Sequence, residues 1–272
     1  MSFKFALCSE VYDLPIEDTI RRISQIGFQG IEIAPFNVAE SVDEVSPIRR
    51  AEIRNAADRS GLEIIGLHWL LVSPKGLHLT TPDDSVRRRT FDYLVSLAHF
   101  SADLGGTFLV LGSPKQRNLE PGWSVVDATK RARDGLRRVA EACGERGVRL
   151  LLEPLNPAET NFLRTVEEAR SLAMEIDHPS VGYILDCKAM SGMPKGIVGT
   201  IAEHAKTAGH FHANEPTGLG PGMGAVDFKP ILGALSESGY SGWVSTEPFD
   251  YKPDSYTVAR TALRALQEAC GG

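Results

Sequence analysis

Four residues able to hold a cation stand at the ends of four successive apolar runs. They are Glu153 after "VRLLL", Asp186 after "VGYIL", His212 in "GHFHA" and Glu247 after "GWVST". Side chains on a strand alternate faces, so His210 and His212 point to the same side. A single acid in such a place is commonly a helix cap or an ion-pair partner, and a histidine pair is commonly core. Four on one rim ask for more. Three converging carboxylates repel one another in a low-dielectric cup unless a cation neutralises them. Three oxygens and one nitrogen suit a single Mn²⁺, the expected ion, or Mg²⁺ or Co²⁺, better than a thiolate-loving metal. Four protein ligands on a six-coordinate ion leave room for two adjacent oxygens of a sugar. The ion would then act as a Lewis acid and stabilise an enediolate. His212 is nearer the strand's C-terminal end and is the expected ligand. His210 sits one layer lower, as a core or supporting residue.

Those residues need elements to carry them. Eight short apolar runs, at 3–7, 30–34, 63–68, 107–112, 148–153, 181–186, 209–213 and 242–247, read as buried parallel strands. Amphipathic segments lie between them. In 16–28, Ile16, Ile20, Ile23 and Ile26 recur at helical spacing. Segment 46–61 has Pro47 at a first-turn position, 124–147 opens on a Ser124 cap, and 227–240 opens on Asp227. Glycines near the helix ends supply the left-handed residue that returns the chain to the sheet. Eight strand–helix units of roughly 30 residues predict an α/β fold, a (β/α)8 TIM barrel, as a single domain over residues 1–272. A doubly wound open sheet is the alternative, but no GxGxxG turn follows the first strand. "GLGPGMG" (218–224) reads as a mobile loop after the seventh strand.

Composition narrows the classes. Hydrophobic residues make up 42%, charged residues 24% and the net charge is −6, which argues against a nucleic-acid partner. No run approaches the roughly 20 apolar residues that span a bilayer, and the opening "MSFKFALCSEVYDL" lacks a signal-peptide layout. The four cysteines, Cys8, Cys143, Cys187 and Cys270, show no CxxC spacing, so a reducing cytoplasm is the expected compartment.

The motifs "LLEPLN…E", "ILD", "HFHANE" and "STEPF", with "GFQGIEI" and "LGSPKQR", resemble those of the xylose isomerase-like TIM barrels, specifically the sugar phosphate isomerase/epimerase group that includes the ketose 3-epimerases. The resemblance implies metal ligation by Glu153, Asp186, His212 and Glu247. It implies that Glu153 and Glu247 also transfer protons, and that Glu159 contacts a small carbohydrate substrate. The chain departs from that branch at two substrate contacts. A histidine expected three residues after Asp186 is Ala189, and an arginine expected six residues after His212 is Gly218. Lys188, His68 and, from "SPKQR", Ser113, Lys115 and Gln116 are the candidates for other substrate contacts.

The leading expectation is a metal-dependent isomerase or epimerase of a sugar, sugar phosphate or keto-sugar derivative. A keto-sugar lyase or dehydratase would use the same proton abstraction, and a non-catalytic sugar-binding protein would keep the ligands alone. A multi-zinc DNA-repair endonuclease needs more His and Asp ligands than these seven histidines offer, several of which lie on helices or loops. A Schiff-base aldolase needs a lysine within a strand, whereas Lys115 and Lys188 follow strands. The oligomeric state, a homo-oligomer included, stays open.

Overall fold

The computed structural model describes residues 3–271. Eight parallel strands close into one barrel in sequence order. They are β1 (Lys4–Cys8), β2 (Gly30–Ile33), β3 (Glu63–Leu67), β4 (Phe108–Leu111), β5 (Arg149–Leu152), β6 (Val181–Asp186), β7 (His210–Ala213) and β8 (Trp243–Thr246). The outer ring contains α1 (Ile16–Ile26), α2 (Pro47–Ser60), α3 (Asp84–Leu104), α4 (Val125–Glu145) and α5 (Val166–Ile176). It continues with a single turn, α6 (Cys187–Met190), then α7 (Gly196–His204), α8 (Phe228–Glu237) and α9 (Ser255–Gly271). The (β/α)8 expectation is met, and each apolar run became a strand.

The helix starts follow the local chemistry. The hydroxyls of Ser46 and Ser124 accept from the backbone N–H of Arg49 and Asp127, and Asp227 accepts from Lys229. Each such cap contributes about 1 kcal/mol. Gly61, at φ +65°, ends α2 in the left-handed conformation that other residues resist. Along α1, Ile16, Ile20 and Ile23 are buried against the sheet and Ile26 is half-buried. Helix α4 stops at Glu145, two residues before the glycine at 147, because Arg146 already leaves helical geometry.

Strand parity divides the core in two. Leu109, Leu111, Leu150, Leu152, Leu185 and Phe211 face outward into the main core beneath the helices. Ala6, Ile65, Phe108, Val110, Leu151 and Ile184 face inward and fill the barrel. The inward positions nearer the C-terminal ends of the strands are polar instead. Among the described residues no helix is long and apolar enough to cross a membrane. Cys8, Cys143 and Cys187 are buried free thiols and Cys270 is half-buried. Burial pushes the Cys187 thiol well up, so it is a packed group and not a nucleophile.

Candidate metal and active site

The four predicted ligands meet. Asp186 is the last residue of β6 and His212 lies one residue short of the end of β7. Glu153 and Glu247 stand one residue beyond β5 and β8. One ligand-type atom from each falls within 4.8 Å of the others, and all four residues are buried. β-strand parity explains the convergence: Asp186 pairs in register with His212, and His212 with Ser245, two residues before Glu247. Gly112 makes room for one ligand. A β-carbon there would lie 2.0 Å from the Glu153 Oε2, so only glycine lets that carboxylate rest against the end of β4.

Each ligand is held from behind. Asp186 Oδ1 accepts from Ala189 N at 2.7 Å and Oδ2 accepts from the Asn214 amide at 2.7 Å. Asp186 is thus a helix cap as well as a ligand-type residue, and the place expected for a histidine holds the backbone N–H that caps it. His212 Nδ1 stands 3.2 Å from Glu153 Oε1 and 3.1 Å from Glu247 Oε2. Neither His212 Nδ1 nor Glu153 Oε1 makes a hydrogen bond of acceptable angle. Two orphaned buried atoms 3.2 Å apart, within three carboxylates and an imidazole, fit a divalent cation.

Electrostatics give the same answer. Burial, reinforced by Glu153 and Glu247, pushes the Asp186 carboxyl up to about 7. Burial and Glu247 also raise Glu153, against the pull of His212 and Arg117. Burial presses His212 down, but Glu32, Glu247 and Glu153 outweigh it and carry the imidazole well above its ordinary value. Without a cation the protonated His212 is the positive partner of these carboxylates, and a divalent ion would take over that role.

The remaining expectations divide. Trp69, Ser113, Pro114, Glu153, Leu155, Glu159, Glu247 and Phe249 line one cleft above the cup. Ser113 belongs to that lining, with its hydroxyl accepting from Leu71 N at 3.1 Å. Glu159 and Lys188 form an ion pair at 2.7 Å, and the ammonium sits 4.4 Å from the Phe249 ring centroid. His68 is buried, its Nε2 2.7 Å from Glu10 Oε2, and burial lowers it to about 4. It stays neutral inside the barrel top instead of facing the cleft. Lys115 is exposed and Gln116 half-buried, and neither is part of the lining. At the start of the glycine-rich loop the Gly218 carbonyl accepts from Phe249 N at 2.7 Å and Asp250 N at 3.1 Å. At φ +86° this position disfavours an arginine, which accounts for its loss locally.

Several residues were missed. Arg117, 1% exposed, donates to the Glu153 carbonyl at 2.7 Å and to the Leu163 carbonyl at 3.3 Å, tying down the turn after β5. Its place in "SPKQR" was visible, but its inward direction was not. Trp69 and Ser113 both adopt left-handed backbone, at φ 53° and 44°, beside the cleft. Non-glycine residues hold such a conformation only where the surroundings impose it. Glu32 carried a signal: it is the lone acid inside the apolar strand "GIEIA".

Comparison with known proteins agrees with this architecture. Residues 20–269 match the xylose isomerase-like TIM barrel family, and the chain belongs to it. A probable ketose 3-epimerase of Synechocystis is 26% identical over 236 residues, 83% of this chain and 76% of its own. The 3-dehydro-D-guloside 4-epimerase of Escherichia coli is 27% identical over 261 residues, covering 93% of this chain and 94% of that protein. Among solved structures, the E. coli 3-keto-D-glucoside 4-epimerase superposes with a TM-score of 0.85 at 21% identity, over 98% of this chain and all of that one (100%). At that identity the superposition speaks for the fold.

Proposed function

We propose that this protein is a divalent-metal-dependent epimerase or isomerase of a small keto-sugar or sugar derivative. It is an enzyme of the same kind as its sugar-epimerase relatives. The observation that carries the metal and mechanism is the cup of Glu153, Asp186, His212 and Glu247, with its two orphaned atoms. These four residues would hold the ion, and Mn²⁺ is the ion we favour. When bound, a divalent cation supplies Lewis-acid stabilisation of the charge that appears on neighbouring substrate oxygens.

The chain's own groups do the rest. Glu153 and Glu247 both border the cleft, so a substrate carbon beside a carbonyl can lie between them. One carboxylate takes the proton from that carbon. The other returns a proton to the opposite face, which epimerises, or to the adjacent carbon, which isomerises. Trp69 and Phe249, with ring centroids 6.3 Å apart, wall the cleft and exclude water from the intermediate. Trp69 Nε1 is buried without a partner and is a free donor for a sugar hydroxyl. Glu159 lines the cleft and is paired with Lys188.

The test is incubation of the metal-loaded protein with a panel of keto-sugars in deuterium oxide. Deuterium incorporation at the carbon beside the carbonyl, together with a new epimer or isomer and dependence on added Mn²⁺, is the expected result. Metal-loaded protein that exchanges no proton on any of the panel would contradict it.

A further inference from the structure

One buried carboxylate at the barrel top has no part in proton transfer. Glu32, in the middle of β2, is completely buried. Its partners among the described residues are imidazoles. His210 Nε2 lies 2.9 Å from Oε2, His212 Nε2 lies 3.2 Å from each oxygen, and His68 Nδ1 lies 3.4 Å from Oε1. An ionised carboxylate offers only lone pairs, so an imidazole nitrogen bonded to it must carry the hydrogen. For His212 this places the hydrogen on Nε2. Nδ1 is then the nitrogen that faces Glu153 and Glu247, at 3.2 and 3.1 Å, and the one whose proton a cation would displace. Without such a partner an imidazole is free to change tautomer or flip, and either change points N–H into the cup.

The geometry points to Glu32 as the positioning residue of this site: it fixes the His212 ring so that Nδ1, and not Nε2, serves the cup of carboxylates. This rests on the reading that the cup binds a divalent cation. Glu32 is itself held in place. His210 bonds it from the layer below, where its ring packs 4.4 Å from that of Phe108. His68 stands on its other side, tethered to Glu10 at 2.7 Å. Residues that orient a metal-binding histidine are commonly worth about 10- to 100-fold in metal affinity.

The experiment measures Mn²⁺ binding to the wild type, Glu32→Gln and His210→Leu, with the Tm of each metal-free protein. Glu32→Gln keeps the shape but removes the charge that commits the His212 tautomer. It should bind Mn²⁺ about 10- to 100-fold more weakly. His210→Leu removes a neighbour of Glu32 but not its bond to His212. It should lower Tm and weaken Mn²⁺ binding less than Glu32→Gln does. A wild type that binds no Mn²⁺ defeats the metal reading and this inference with it. A wild type that binds, with folded Glu32→Gln binding equally well, overturns this inference alone. Should Glu32→Gln not fold, the ¹⁵N resonances of His212 in the Zn²⁺-loaded wild type decide. A protonated Nε2 is expected, and a protonated Nδ1 overturns the proposal.

Discussion

The two ends of the barrel interior are built on the same strands with the same parity, yet they hold opposite chemistry. The lower layer, made by Ala6, Ile65, Phe108, Val110, Leu151 and Ile184, is apolar. The upper layers hold Glu32, His68, His210 and His212, and above them Glu153, Asp186 and Glu247, all buried. Burial of apolar atoms stabilises, whereas burial of charge costs unless it is paired. The lower end therefore supplies stability, and the upper end consumes some of it to hold groups in states that water would not permit. In barrels of this fold active sites form at the C-terminal strand ends, which is where the ionisable layers lie here.

The largest effects should follow from the upper end. With metal occupancy confirmed, Glu153→Gln and Glu247→Gln should each lower kcat by about 10³-fold, within the range typical of a lost general base. Near-normal turnover by metal-loaded Glu247→Gln would reduce that residue to a ligand and break the two-base account. Solvent deuterium exchange sharpens it further, since the surviving carboxylate should still exchange its own face.

The lower end should behave in the opposite way. Leu151→Ala should destabilise by about 2–5 kcal/mol through lost burial and an unfilled cavity. Turnover per folded molecule should stay unchanged, as urea unfolding and active-site titration would show. A fall in kcat as large as that in stability would mean that the two layers are coupled.

The charge in the cup gives a pH test of similar size. In metal-free protein the Asp186 carboxyl is raised from 3.8 to about 7. The native state therefore holds a proton that the unfolded chain releases first. Its contribution is complete below 3.8 and is lost as pH rises through about 7. At about 1.4 kcal/mol per unit this amounts to ~4 kcal/mol. Compared with Asp186→Asn, which cannot ionise, the chelated wild type should lose stability between pH 4 and pH 8, and Mn²⁺ should restore it. Parallel urea midpoints for the two proteins across that range would show that the cup tolerates its charges without a cation.

The smallest effect concerns the outer wall. Lys188 is half-buried, paired with Glu159 and placed over Phe249. Lys188→Met should change KM by about tenfold or less, the scale of a single partly exposed polar contact. An effect on kcat at constant KM would move Lys188 from binding into the chemistry.

The sequence revealed the barrel through run length and spacing, because each strand buried on both faces reads as an uninterrupted apolar stretch. The four rim residues were legible for the same reason: an acid or imidazole is conspicuous where such a stretch stops. Glu32 was less legible. A single acid inside "GIEIA" can face a helix or the barrel axis, and only parity across the closed sheet decides. Lys115 and Gln116 show the converse. Their types suited a substrate contact, but the turn after β4 directs Arg117 inward and leaves Lys115 exposed. His68 was placed at the right strand end, yet its partner Glu10 lies 58 positions away and no local pattern joins them.

The central claim, that these rim residues form one cation site, is tested most directly by metal analysis of wild type, His212→Ala and His210→Ala after loading with Mn²⁺ and desalting. One ion per chain in the wild type, loss of the ion in His212→Ala and retention in a less stable His210→Ala is the predicted result. Full occupancy in His212→Ala would contradict the account.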